Sequence, residues 1–170
     1  KRFALTYASD LPSSARHRDT DPPSRLANGV WGDASKESVQ YDGSVTIDAD
    51  LGKAEEVHKV RVAVYRREET TSGGGGFNVD SLLVSVSNDK QSWKQIAEVA
   101  GQPGPGPGLY VLTAPVNATT RYVRFAMKKP PKYDRILLGE IEVLGAVDEI
   151  SSLPQPPRPL HVKKTLEDAL

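Results

Sequence analysis

The 170-residue chain has no cysteine, a single methionine and few aromatic residues, 6% in all. The missing cysteine excludes disulfides, thiolate metal centres and cysteine nucleophiles, and it removes the compartment clue that paired cysteines would carry. Net charge is also missing: 22 Lys and Arg balance 22 Asp and Glu. No long-range field therefore draws the protein towards nucleic acid or anionic lipid. No apolar run approaches the roughly 20 residues of a membrane span, which argues against membrane insertion. The length suits one sizeable core, given about 100 to 200 residues per domain. Lys1 is not an initiator methionine, so the chain reads as a processed piece of a longer parent.

What is present is period-two alternation, the mark of a half-buried strand. Val45, Ile47, Ala49 and Leu51 share one strand face, with Gly52 expected to end it. Val60, Val62 and Val64 form the next strand, then Leu82, Val84 and Val86, followed by the turn sequence Ser87-Asn88-Asp89-Lys90. Trp93 and Ile96 return from that turn, with Trp93 expected in the core. Strands around Val111, around Val123, Phe125 and Met127, and around Ile141 and Val143 follow. Short strands between turn signals predict an all-β, antiparallel β-sandwich or barrel without an amphipathic helix. Two connections are low-complexity, Gly73 to Gly76 and Pro103 to Gly108, and read as exposed loops. The globular unit is expected over residues 1–146. A Pro-rich linker or tail over 147–170, carrying Pro154, Pro156, Pro157 and Pro159, leads towards another domain.

Four segments in order carry a family resemblance. Arg25-Leu26-Ala27-Asn28-Gly29-Val30-Trp31-Gly32-Asp33 is similar to an L-T-D-G-x-x-G-D loop, with Asn28 where Asp is usual. Ile47-Asp48-Ala49-Asp50-Leu51-Gly52 is similar to an I-D-L-G strand, and Val84-Ser85-Val86-Ser87-Asn88-Asp89 through Trp93 to V-x-V-S-x-D-G-x-x-W. Arg121-Tyr122-Val123-Arg124-Phe125 and Glu140-Ile141-Glu142-Val143 complete the set. Together they resemble the galactose-binding-like superfamily: discoidin domains, the C-type domains of coagulation factors and, nearest, family 32 carbohydrate-binding modules. The resemblance implies an eight-stranded antiparallel jelly roll with its termini close together.

It also implies a structural Ca²⁺, held by the Asn28 and Asp33 side chains, the Arg25 and Gly139 carbonyls and the Glu140 carboxylate. Oxygen donors of this mixed kind suit calcium, though neutral Asn28 weakens the set. For a sugar, the chemistry needs an aromatic face plus polar groups for adjacent hydroxyls. Loops supply His17, Arg18, Asp19, Trp31, Tyr41, Arg66, Arg67, Phe77, Tyr133, Asp134 and Arg135. The resemblance to sugar-binding relatives, in which an Arg just after the second core strand and an aromatic just before the last one line the site, implies Arg66 or Arg67 and Tyr133; the expected ligand-binding set is Arg66, Arg67, Tyr133, Arg135, Trp31 and His17.

Catalytic patterns are missing. His17, His58 and His161 lie far apart, and no G-x-S-x-G elbow occurs. The pairs Asp48/Asp50 and Glu140/Glu142 fall on one strand face each, at a sheet surface, with no second carboxylate across a cleft for glycosidase chemistry. The expected protein is a non-catalytic carbohydrate-binding module. Its setting would be a larger extracellular, secreted or cell-surface protein, bacterial and glycan-degrading, with a glycan or polysaccharide and an attached catalytic domain as partners. The alternative is a protein-protein or cell-adhesion module of the discoidin type.

Overall fold

The computed structural model describes residues 1–68, 75–102 and 108–145. The expected tail over 147–170 and parts of both low-complexity loops lie outside the described residues. Among the described residues seven antiparallel strands form, against the eight that the resemblance implies: β1 (Thr6–Ser9), β2 (Val39–Tyr41), β3 (Val45–Arg66), β4 (Ser81–Ser87), β5 (Lys94–Ala100), β6 (Gly108–Lys128) and β7 (Ile136–Leu144). Among the described residues, helical structure is confined to a 3-10 turn at Arg25–Ala27 and one α-helical turn, α1, at Ala34–Glu37.

Two strands are far longer than expected, β3 at 22 residues and β6 at 21. Each fuses two strands that the sequence pattern separates. Gly52 does not end its strand; it takes a φ of +86°, and the β3–β6 register slips between Asp50 and Glu55 while pairing resumes beyond. A residue with φ above zero is where glycine costs least, so the ribbon turns its corner without breaking. The fused ribbon builds both layers of the sandwich. Residues 45–50 of β3 pair with β1 and with 122–127 of β6, which continues to β4 and β5. Residues 59–65 of β3 pair with β7, which continues to β2, while 108–115 of β6 lie on their other side.

The alternating residues then face each other across the sandwich. Ile47, Ala49, Leu82, Val84, Val123, Phe125 and Met127 from one layer pack with Val60, Val62, Val64, Leu112, Ala114, Leu138, Ile141 and Val143 from the other in one continuous buried cluster. Val111 is only half-buried; its neighbours Leu112 and Ala114 point inward. The β4–β5 hairpin forms as expected: Ser87 Oγ accepts from the Asp89 and Lys90 N–H groups, and Lys90 takes the left-handed φ of +61°.

Two expectations about surfaces are corrected. Trp93 is half-buried and absent from the core cluster; the Arg124 guanidinium stacks 3.9 Å from its ring centre. Arg124 is itself held by Asp48 through two bonds of 2.7 and 3.0 Å, so the indole is covered from outside by a fixed cation. Glu140 and Glu142 do share a face, but both are fully buried. The segment around the 3-10 turn packs on β7, and Arg2 reaches over both carboxylates, so this outer sheet face is closed to solvent.

Candidate functional site

The loop after β3 is pinned at its base. Arg67 and Phe77 exchange both backbone hydrogen bonds, 3.0 and 2.9 Å, which fixes Phe77 beside Arg67. The Arg67 guanidinium lies 4.9 Å from the Phe77 ring centre, and that of Arg135, from the segment before β7, lies 5.2 Å from it. Arg67 Nε and Nη2 and Arg135 Nη2 all donate to the Gly75 carbonyl oxygen, at 3.2, 2.6 and 3.0 Å. Arg135 is also bonded to the exposed Asp134. From the first loop, the His17 carbonyl accepts from the Gln40 N–H at 2.9 Å, docking that loop on β2. These contacts enclose a shallow cleft of about 300 Å³ lined by Arg16, His17, Gln40, Arg67 and Arg135 around an apolar floor of Ala34, Phe77 and Leu137.

The expected ligand-binding set therefore divides. His17, Arg67 and Arg135 meet in this cleft. Arg66 and Tyr133 line a separate one with Glu68, Asn78, Lys132 and Gln102. There both are engaged: Arg66 is ion-paired with Glu68, and the Tyr133 hydroxyl donates to Glu68 Oε1 at 2.8 Å. The Tyr133 and Arg66 contacts, with Lys132 nearby, hold the Glu68 carboxyl down at about 2. Trp31 joins neither lining; it is half-buried, and its carbonyl accepts from the Tyr65 hydroxyl. Tyr41 is a core residue, and Asp19 is a loop brace that accepts from the Tyr7 hydroxyl at 2.5 Å and from the Arg25 N–H at 3.0 Å. Arg16 and Gln40 escaped the sequence reading, since nothing local distinguishes them from ordinary polar loop and strand residues.

Of the residues implied for calcium, the Asn28-Gly29 turn meets Glu140, but among the described residues no three acidic or histidine side chains are grouped to hold a metal. Gly29 N–H donates to Glu140 Oε2 at 2.7 Å, and Arg2 Nη1 stands 3.5 Å from the same oxygen and 3.4 Å from Glu142 Oε2. Asn28 Oδ1 accepts from the Val30 N–H at 2.9 Å, and Asp33 Oδ1 caps α1 by accepting from the Ser35 N–H at 3.0 Å. Gly139 is the extra residue of a β-bulge, falling between the pairs Ala63–Glu140 and Val64–Leu138. Glu140 Oε1 is buried without a hydrogen-bond partner. Burial raises the Glu140 carboxyl to about 8, with Glu142 adding to the rise and Gly29 and Arg2 opposing it. The fit to calcium is thus partial. The orphaned Glu140 carboxylate oxygen is the donor on offer, and the Arg2 guanidinium competes for the same charge.

The fold is a galactose-binding-like β-sandwich with a shallow cleft framed by its loops. Residues 8–140 match the F5/8 type C domain, and the chain belongs to that family. Among solved structures it is similar to the CBM32 of AlyQ in complex with 4,5-unsaturated mannuronic acid, at 19% identity and a TM-score of 0.58, covering 86% of this chain and 99% of that one. It is similar to a pectin-binding carbohydrate-binding module at 17% identity and a TM-score of 0.55, covering 87% and 94%. A chitosan-binding module from a Paenibacillus chitosanase/glucanase gives 19% identity and a TM-score of 0.57, covering 84% and 96%. No curated protein matches the chain.

Proposed function

We propose that the domain is a non-catalytic glycan-binding module of a secreted or cell-surface protein, and that its sugar sits in the cleft of His17, Arg67 and Arg135. The observation that carries this reading is the cleft's construction: N–H donors around a small apolar floor, in loops held by a rigid sheet. Sugars present that same mixture of hydroxyls and C–H faces. The similar solved modules are carbohydrate binders; their likeness lies in the fold, and it makes glycans the first ligands to test. Function would arise from proximity, the module raising the local concentration of an attached catalytic domain at its polymer.

Affinity gels containing a panel of plant, algal and microbial polysaccharides test this. At least one polymer is expected to retard the domain, and Arg67→Ala to weaken that retardation at least tenfold while the melting curve stays in place. A protein partner bound at the same loops, with every glycan silent, would replace the reading by the adhesion alternative.

Calcium at Glu140 belongs to the same proposal, supported by the orphaned Oε1. A ligand bound only by the native state raises the melting temperature. Millimolar calcium is expected to raise it over a chelated sample, and by more in Arg2→Ala, where the competing cation is gone. Coincident melts in both proteins would remove calcium from the picture.

A further inference from the structure

The cleft of Arg67 and Arg135 adjoins a second one, and the two share Arg16, His17 and Ser35. The second is lined further by Arg18, Arg25, Lys36 and Ser38. Arg16, Arg18, Arg25, Lys36, Arg67 and Arg135 thus border one continuous groove, and no carboxylate is among its described lining residues. Asp134, exposed and 3.3 Å from Arg135, is the carboxylate bonded at the edge; against that one, six cations in a chain with equal numbers of acidic and basic residues are a local segregation. Net charge, which gives no reason to look for an anionic ligand, averages it away.

The cations are held in place. Arg67 and Arg135 donate to one carbonyl oxygen, that of Gly75, so two guanidinium groups stand a few ångströms apart. Arg25 Nε and Nη1 donate to the Arg18 and Lys36 carbonyls at 3.2 and 2.9 Å, which fixes the far end. Like charges at short range repel, and an anion between them relieves the repulsion. A guanidinium carries five N–H donors in a planar fork matched to carboxylate; Arg67 commits two to Gly75, and Arg25 two to its carbonyls.

The floor argues in the same direction. Phe77 is only 9% exposed, and both guanidiniums approach its ring. A neutral sugar bound chiefly by stacking needs an open aromatic face, and here that face is largely covered.

We propose, resting on the glycan reading, that the groove from Arg135 and Arg67 to Arg25 and Lys36 binds an acidic polysaccharide, one whose successive sugars bear carboxylate or sulfate. A groove of this kind engages several anionic units at once, so affinity grows with chain length and falls with salt.

The test is titration calorimetry of the full 170-residue chain with polygalacturonate, with the same polymer after carboxyl reduction, with dextran sulfate and with neutral dextran. Binding is expected to polygalacturonate or dextran sulfate, the stronger of the two identifying the acidic group. It should weaken at least tenfold on carboxyl reduction or on removal of sulfate, and steeply between low and high sodium chloride. Arg67→Ala and, from the far end, the exposed pair Arg18→Ala with Lys36→Ala should each weaken it several-fold. The second variant keeps the test sound should the first disturb the loop. Equal binding of the carboxyl-reduced polymer would overturn the acidic assignment and leave the glycan reading standing. No heat with either polygalacturonate or dextran sulfate would overturn the acidic assignment, while silence on the affinity gels as well would overturn the glycan reading.

Discussion

Replacement of Arg61 by alanine is expected to cost about 3–5 kcal/mol of stability, the usual penalty for removing one of two opposite charges buried on the same sheet face. Arg61 is 1% exposed on the outer face of β3, with Thr113 opposite it on β6 and Glu142 opposite it on β7. Its Nε donates to Thr113 Oγ1 at 3.3 Å. Glu142 is fully buried on the same outer face, so the replacement removes a buried cation from the position directly opposite it. For a domain of this size the loss corresponds to a fall in melting temperature of about 10 °C or more. The double replacement of Arg61→Met with Glu142→Leu is expected to regain most of it, because removing both charges also removes the cost of desolvating them. A single variant that melts with the wild type would mean that the buried guanidinium contributes nothing.

The second large effect is a pH dependence centred on Glu140, measured with calcium chelated. Burial raises its carboxyl to about 8 from an ordinary value of 4.5. The folded state therefore holds the proton more tightly than the unfolded chain. The resulting stabilisation is complete below the unfolded value and is lost as pH rises through the folded one. Between about pH 4.5 and 8 this group alone should remove on the order of 5 kcal/mol, from about 1.4 kcal/mol per pH unit. Glu140→Gln stays neutral throughout, so its stability should be flatter over that window and should exceed the wild type's at pH 9. Denaturant midpoints at pH 5, 7 and 9 decide it; parallel curves for the two proteins would show that Glu140 is ionised in the native state.

Much of the sandwich was legible because alternation is a local signal. Ile47, Ala49, Val62, Val84 and Phe125 all face the core that their spacing predicts. The corner at Gly52 was not legible, since a glycine that ends a strand and one that turns a continuous ribbon leave the same mark in the sequence. Glu140 and Glu142 misled for a related reason. Polar residues at every second position signal a solvated face, and only the tertiary packing of Arg2 and the 25–37 segment shows that the face is covered. Trp93 likewise carries no sign that Arg124, far along the chain, will cover it. Of the expected ligand-binding residues, Arg67, Arg135 and His17 line one cleft. Their separation from Arg66 and Tyr133 depends on the 67–77 backbone pairing and on Glu68, neither of which a linear reading contains.

The first and last described residues meet in the fold. Phe3 N–H donates to the Val143 carbonyl at 2.9 Å, and Gly145 N–H to that of Lys1 at 2.6 Å. A longer polypeptide can therefore enter and leave the domain through one doorway, on neighbouring threads of the same seam. Such a unit can be spliced into an exposed bend of a host or strung between two others without prising the host's ends apart, so the groove's chemistry travels as a cassette.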